Sequence, residues 1–198
     1  MSWRSEKPAD LPISEESRDL WERLERLHHE LRDYTAMEWD RINPFYENLF
    51  SWSEKGEFTT GNDVTIYEST TVVGDVEIGD NSWIGPFCSL DGTGSLSIGE
   101  HCSISTATHI LSHDTVRWTL TGGVADHEYD PVEIGDQCFV GVNSIILKGT
   151  TIGDNCLIAA HSRVSGEFPD NSIIAGNPAE VIGETIVDGE DVELIFSK

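Results

Sequence analysis

The chain of 198 residues is poor in positive charge: 12 Lys and Arg stand against 36 Asp and Glu, a formal net charge of -24. So negative a surface repels nucleic-acid phosphates and anionic lipid headgroups, which argues against nucleic acid or membrane as partners. Lysine is scarcest, with only Lys7, Lys55, Lys148 and Lys198. The acids are spread along the chain rather than gathered in a tail, which suits a halophilic protein whose self-repulsion is screened within a few ångströms at high salt. Long apolar runs are also missing. No stretch approaches the roughly 18 to 20 residues of a membrane helix, and the opening MSWRSEKPAD lacks the apolar core of a secretory signal. The expectation is a soluble, cytoplasmic protein. No C-x-x-C pair occurs among the four cysteines, which argues against a zinc or disulfide framework. No Gly-x-Ser-x-Gly elbow occurs either, so no acyl-enzyme nucleophile is expected.

What the chain does have is a count of six. Aliphatic residues open successive hexads at Ile66, Val72, Ile78, Ile84 and Leu90. After two extra residues in DGTGSLSI they continue at Ile98, Ile104 and Ile110, and a second run covers Ile134, Val140, Ile146, Ile152, Ile158 and Val164. The fifth position is small or β-branched throughout: Thr70, Val76, Ser82, Cys88, Cys102, Thr108, Cys138, Ser144, Thr150, Cys156 and Ser162. All four cysteines therefore share one address, a small inward slot. The second position is often glycine (Gly79, Gly85, Gly99, Gly135, Gly141, Gly153), read as tolerance of the positive φ that a corner demands. One large and one small inward residue per six describes short parallel strands, three to a coil, stacked about 4.8 Å apart. Neither an amphipathic helix nor an open twisted sheet has that period.

The flanks follow other rules. Leu20, Leu24, Leu27, Leu31 and Tyr34 recur at spacings of three and four behind the capping candidate Ser14, predicting a helix over about 15–40. Pro44 then predicts a turn, and the aromatic stretch PFYENLFSW is expected to pack the helix on the first coil. ETIVDGEDVELIF reads as two strands about an Asp188-Gly189 turn.

The segment PVEIGDQCFVGVNSIILKGTTIGDNCLIAAHSRVSGEFPDNSIIAGNPAEVIG, closed by Gly176-Asn177-Pro178-Ala179, carries a family likeness. Residues 61–180 resemble the hexapeptide-repeat acyltransferases. The resemblance implies a mainly β fold, a left-handed parallel β-helix, here with an N-terminal α-helix and a short C-terminal β-hairpin. Residues 1–58 form the helical extension, 59–183 the β-helix with a loop insertion at 111–133, and 184–198 the hairpin and tail. The hand comes from the resemblance; the ordinary crossover rule points the other way.

Hexads stop after Ile110 and resume at Ile134. A column must expel such an insertion as a loop, and loops on rigid scaffolds are where function concentrates. The insertion holds His113 and His127, and His109 lies just before it. Imidazole titrates near neutral pH and is a competent general base. The residues alone leave His109 and His113 close to equal; the resemblance of LSHDTVRW to the family's catalytic region favours His113. Its orienting partner is open, with Asp114, Glu128 and Asp130 all nearby in sequence. Trp118 and Asp114 are candidates for acceptor contact, Trp118 being equally readable as filling, while Gly122 and Gly123 permit a turn.

The resemblance further implies acetyl-coenzyme A as co-substrate, lying in a groove between neighbouring subunits of a homotrimer and held by backbone amides. Matching positions are Gly141, Ala159, Ala160 and Ser162, with Phe139 against the pantetheine arm and Lys148 and Arg163 as partners of the 3′-phosphate. Small residues there are equally what tight coils need. The acceptor implied is a small molecule, a sugar or nucleotide sugar with a reactive hydroxyl or amine, and no metal is expected. Glu180 stands where relatives often carry a cation, so the phosphate has few partners. Two alternatives remain: a γ-carbonic-anhydrase-like zinc hydratase, for which His101, His109, His113 and His127 are the available imidazoles, and a non-catalytic trimeric scaffold.

Overall fold

The computed structural model describes residues 13–39 and 59–197. PFYENLFSW and the turn at Pro44 lie outside the described residues. The chain divides into two compact units, residues 1–50 and 51–198. In the first, α1 (Glu15–Trp39) starts where the sequence places it. Ser14 caps it, its Oγ accepting the Ser17 N–H at 3.1 Å while its carbonyl accepts the Arg18 N–H. No helix among the described residues is long and apolar enough to cross a membrane.

The second unit is a left-handed parallel β-helix with three faces. Face one stacks β1 (Thr65–Ile66), β3 (Trp83–Ile84), β5 (Ser103–Ile104), β10 (Phe139–Val140), β13 (Leu157–Ile158) and β16 (Ser172–Gly176). Two longer strands, β2 (Thr71–Ile78) and β4 (Ser89–Ile98), pass along both remaining faces. Face two continues with β6 (His109–Leu111), β11 (Ile145–Ile146) and β14 (Arg163–Val164). Face three continues with β9 (Val132–Ile134), β12 (Thr151–Ile152) and β15 (Glu167–Phe168). Five coils are complete and β16 begins a sixth. The column closes with an antiparallel pair, β17 (Ala179–Asp188) and β18 (Asp191–Phe196), turning at Gly189 as the sequence suggests. That pair begins earlier than residue 184, because β17 first runs back along β16.

The hexad register is the packing register. Ile66, Ile84, Ile104, Val140 and Ile158 are all fully buried, and all but one of their counterparts on the other faces are buried too. Truncating one of these isoleucines to alanine costs about 2–5 kcal/mol. Val72 departs from this pattern and is 37% exposed. It sits on β2, which pairs with β4 on one side and with no described strand on the other.

Two positional rules emerge that correct the reading of the glycines. Positive φ falls at the fourth position, not the second: Asn81 (58°), Phe87 (60°), His101 (54°), Ala107 (57°), Gln137 (57°), Asn143 (56°), Asn155 (55°) and His161 (61°). Asparagine and histidine are the non-glycine residues that best tolerate this region, which accounts for much of that list. The second-position glycines are needed for close approach instead. A Cβ on Gly79 would lie 2.6 Å from the Glu100 nitrogen, and one on Gly135 2.7 Å from the Gly153 carbonyl carbon. At the corner from face three to face one the next coil's aspartate occupies that space. Asp136 Oδ1 accepts the Glu100 N–H, Asp154 Oδ1 the Asp136 N–H and Asp170 Oδ1 the Asp154 N–H, each at 2.9 Å. Gly-Asp is thus one device: the glycine leaves room for a carboxylate that satisfies a corner amide.

The fifth position proves to be a donor slot. Ser82, Cys102, Cys138 and Cys156 donate to the carbonyls of Gly99 (2.9 Å), Gly135 (3.1 Å), Gly153 (3.1 Å) and Pro169 (3.3 Å), each one coil on. Thr70, Cys88 and Ser144 do the same at the next corner. The four cysteines are free and buried, and burial pushes the Cys88 thiol above its ordinary pKa.

Candidate active site

The corner between faces two and three carries both interruptions of the repeat. In the second coil the two extra residues bulge β4 between Gly92 and Leu96; in the third coil, directly stacked on it, the chain leaves the column after β6. The excursion is structured. β7 (His113–Asp114) pairs antiparallel with β8 (Glu128–Tyr129), and α2 (Val116–Leu120) lies between them. Gly122 and Gly123 then turn the chain at φ 65° and 87°. Ser112 stitches the layers together, its Oγ accepting the Gly94 N–H at 2.8 Å and its carbonyl the Asp130 N–H at 3.0 Å.

His113 is brought onto this bulge. Its Nδ1 donates to Asp91 Oδ2, and Thr93 Oγ1 lies 3.0 Å from the same nitrogen. Asp91 also accepts from the Thr93 N–H (3.0 Å), the Thr93 hydroxyl (2.7 Å) and the Ser112 N–H (3.2 Å). Burial raises the Asp91 pKa, but the Thr93 hydroxyl and amide and the His113 ring outweigh it, holding the carboxyl below its ordinary value. An ionised carboxylate has only acceptors, so Nδ1 carries a proton, and in the neutral ring Nε2 is then the nitrogen with the lone pair. The His113 side chain is 36% exposed and that of Asp91 9%. The arrangement is a buried carboxylate fixing the tautomer of an accessible imidazole.

Asp91 was not among the residues expected to orient the base. It lies 22 residues before His113, and the signal pointing to it was the broken hexad count at DGTG. Asp114, Glu128 and Asp130 serve elsewhere. They gather round the Lys148 ammonium, at 3.6, 3.1 and 3.2 Å, and the Glu128 and Asp130 carboxylates hold it above its ordinary pKa. Lys148, expected to meet a phosphate, is in this chain the anchor of the insertion. Asp114 in addition accepts the Val116 N–H at 2.9 Å. His109 stays on face two, in register between Ser89 and Ile145, its backbone N–H donated to the Ser144 carbonyl and its exposed side chain making no hydrogen bond to a described residue. Trp118 is exposed on α2, its ring 5.3 Å from that of His127 and nearly perpendicular. Among the described residues no group of three His, Cys, Asp or Glu is placed to hold a metal ion.

The positions matched to the donor lie at the corner from face one to face two, in the fourth and fifth coils. Gly141 is buried against Ala160, whose nitrogen would be 2.5 Å from an added Cβ. Ser162 Oγ bonds the Ala159 carbonyl (2.7 Å) and the Gly176 N–H (3.2 Å). Arg163 donates from Nε to Asn177 Oδ1 at 2.8 Å, tying the Gly-Asn-Pro-Ala segment to face two. Phe139 stands exposed on face one. Residues 85–88, 105–108, 141–144 and 159–162 contain no Asp, Glu, Lys or Arg, so this edge is free of charge over four coils of a highly acidic chain.

Comparison with known proteins matches residues 131–160 to the hexapeptide repeat of succinyl-transferase. WcaF of Escherichia coli strain K12, named for colanic acid biosynthesis as an acetyltransferase, is 32% identical over 111 residues, 55% of this chain and 58% of that protein. Galactoside O-acetyltransferase of the same strain is 28% identical over 127 residues, 54% and 63% respectively. The chain thus spans less than two thirds of these relatives. Among solved structures, a hexapeptide-repeat acetyltransferase of Vibrio cholerae in complex with acetyl-coenzyme A superposes with a TM-score of 0.60. It is 21% identical, over 87% of this chain and 90% of that one. The resemblance to hexapeptide-repeat acyltransferases therefore holds in sequence, and the fold is theirs.

Proposed function

We propose that this protein is an acetyltransferase that moves an acetyl group from acetyl-coenzyme A to a sugar hydroxyl or amine, with His113 as general base and Asp91 as its positioning partner. The observation that carries the reading is the Asp91–His113 pair, in which Nε2 is the basic nitrogen. The acceptor oxygen or nitrogen attacks the thioester carbonyl as Nε2 takes its proton. The tetrahedral intermediate then collapses, the C–S bond breaks, and the departing coenzyme A thiolate recovers the proton from His113. No covalent enzyme intermediate is needed.

The charge-free edge supports the donor assignment. A pantetheine arm is uncharged and reads backbone amides, so Gly141, Ala159 and Ala160 suit it by keeping side chains out of its way. A groove needs a second wall, which a neighbouring copy in a homotrimer supplies, bringing that copy's edge to the donor. Arg163 follows Ser162 directly in the chain and so places a cation at the end of this edge. The relatives point the same way: galactoside O-acetyltransferase is named for a sugar acceptor, and the Vibrio structure holds acetyl-coenzyme A.

Thiol release from acetyl-coenzyme A, followed with a panel of sugars and amino sugars at low and high salt, tests the proposal. Turnover by the wild type that His113→Ala abolishes, with the oligomer intact, is the expected result. Absence of donor binding and of thiol release under every condition would favour a scaffold instead. Turnover that survives His113→Ala but fails in His109→Ala would reassign the base.

A further inference from the structure

The insertion has two chemically different sides. In the β7–β8 pair His113 stands opposite Tyr129, and Asp114 opposite Glu128. Neighbouring residues of a strand point to opposite faces. The carboxylate side is spoken for: Lys148 holds Asp114 and Glu128 from the fourth coil, and Arg117 Nε reaches Glu128 Oε1 at 3.2 Å. The other side is aromatic and open. The Tyr129 ring lies 5.9 Å from the His113 ring, 25° from parallel. His127 follows at 6.3 Å from Tyr129, and Trp118 stands edge-on to His127. Tyr129 and Trp118 are about half exposed, although rings of this size ordinarily contribute by being covered. Nothing in the mechanism above uses them.

We infer that Tyr129, with His127 and Trp118 continuing its surface, is the platform on which the acceptor ring rests while its hydroxyl meets Nε2 of His113. This deepens the transferase reading and rests on it. A pyranose presents a flat face of C–H groups that suits an aromatic surface, and a rim of hydroxyls that suits the base beside it. The charges narrow the class further. Asp114, Asp126, Glu128 and Asp130 of the insertion outnumber its cations, and among the described residues the ion pairs they make go to Arg117 and Lys148 alone. That excess of negative charge repels a diphosphate, so the acceptor is an uncharged glycoside rather than a nucleotide sugar. Tyr129 is a positioning residue and Lys148, by pinning the opposite side of the pair, sets its angle.

The test is steady-state kinetics on the full chain with methyl pyranosides of glucose, galactose and mannose, nucleoside-diphosphate sugars, and the variants Tyr129→Leu, Tyr129→Phe and Trp118→Ala. Tyr129→Leu keeps an apolar side chain but loses the π face, and should raise the pyranoside KM about tenfold, with kcat and the donor KM within twofold of wild type. Tyr129→Phe should restore the wild-type KM, and Trp118→Ala should raise it by less than Tyr129→Leu. An unchanged acceptor KM in Tyr129→Leu, or preferred turnover of a nucleotide sugar, overturns the platform while leaving the transferase reading intact. If Tyr129→Leu loses donor binding as well, the residue is structural and the assignment falls. No thiol release by the wild type with any acceptor sinks the parent reading and this one together.

Discussion

Two corners of the same column behave in opposite ways. Between faces three and one, successive coils repeat the same parts: a second-position glycine, an acid, a residue at positive φ and a small donor, as in Gly135-Asp136-Gln137-Cys138 and Gly153-Asp154-Asn155-Cys156. Between faces two and three no such repetition holds from the second coil to the third, and it is there that Asp91, Thr93, Ser112 and His113 converge. The regular corner satisfies its polar groups within the stack and offers nothing to solvent chemistry. The irregular corner releases a carboxylate and an imidazole from packing duty and holds both between ordered layers. Repetition makes the scaffold; two adjacent departures from it make the candidate site.

Disturbing each corner in turn should separate these roles. The largest effect belongs to His113→Ala, expected to lower kcat by about a thousandfold in a thiol-release assay, with an unfolding midpoint little changed because Thr93 and Ser112 still satisfy the Asp91 carboxylate. Asp91→Asn keeps the shape but loses the charge that fixes the tautomer, so kcat should fall about 10- to 100-fold. It should also change the acid limb of stability. The Asp91 carboxyl is held below its ordinary value in the folded chain, so its contribution is present above about pH 4 and is lost as pH falls below that. The stability gap between wild type and Asp91→Asn, measured by denaturant titration, should shrink on acidification below pH 4. At the regular corner Gly135→Ala should leave kcat alone yet destabilise by about 1–3 kcal/mol, since its methyl group meets the backbone of Gly153. Smallest and opposite in sign is Ala107→Gly, which relieves an alanine at φ 57° and should stabilise by about 1 kcal/mol. A loss of activity in Gly135→Ala as large as its loss of stability would deny the two corners their independence.

Much of this was legible in the residues. The count of six alone predicts three faces and nearly every buried aliphatic, because inward packing at about 4.8 Å per coil leaves few alternatives. Ser14 and the Asp188-Gly189 turn announce the helix start and the hairpin by local chemistry. What stayed hidden depends on neighbours distant in the chain. Val72 obeys the hexad but lies on a strand with one described neighbour. The glycines were read as conformational when they are steric, since the atoms they avoid belong to the next coil. Asp91 resembles any acid in a turn until stacking sets it under His113. The fate of Lys148 turns on the insertion folding back as a hairpin, which hexad counting says nothing about.

The aspartates of the regular corner give the column a direction in time. Each corner amide of Glu100, Asp136 and Asp154 waits for a carboxylate that comes later in the chain, at Asp136, Asp154 and Asp170. A polypeptide emerging from the ribosome amino end first therefore carries an unfinished layer at its growing tip, completed only by the next stretch to appear. The imidazole finds its carboxylate already made, while the rung beneath Asp170 must wait for that residue to emerge.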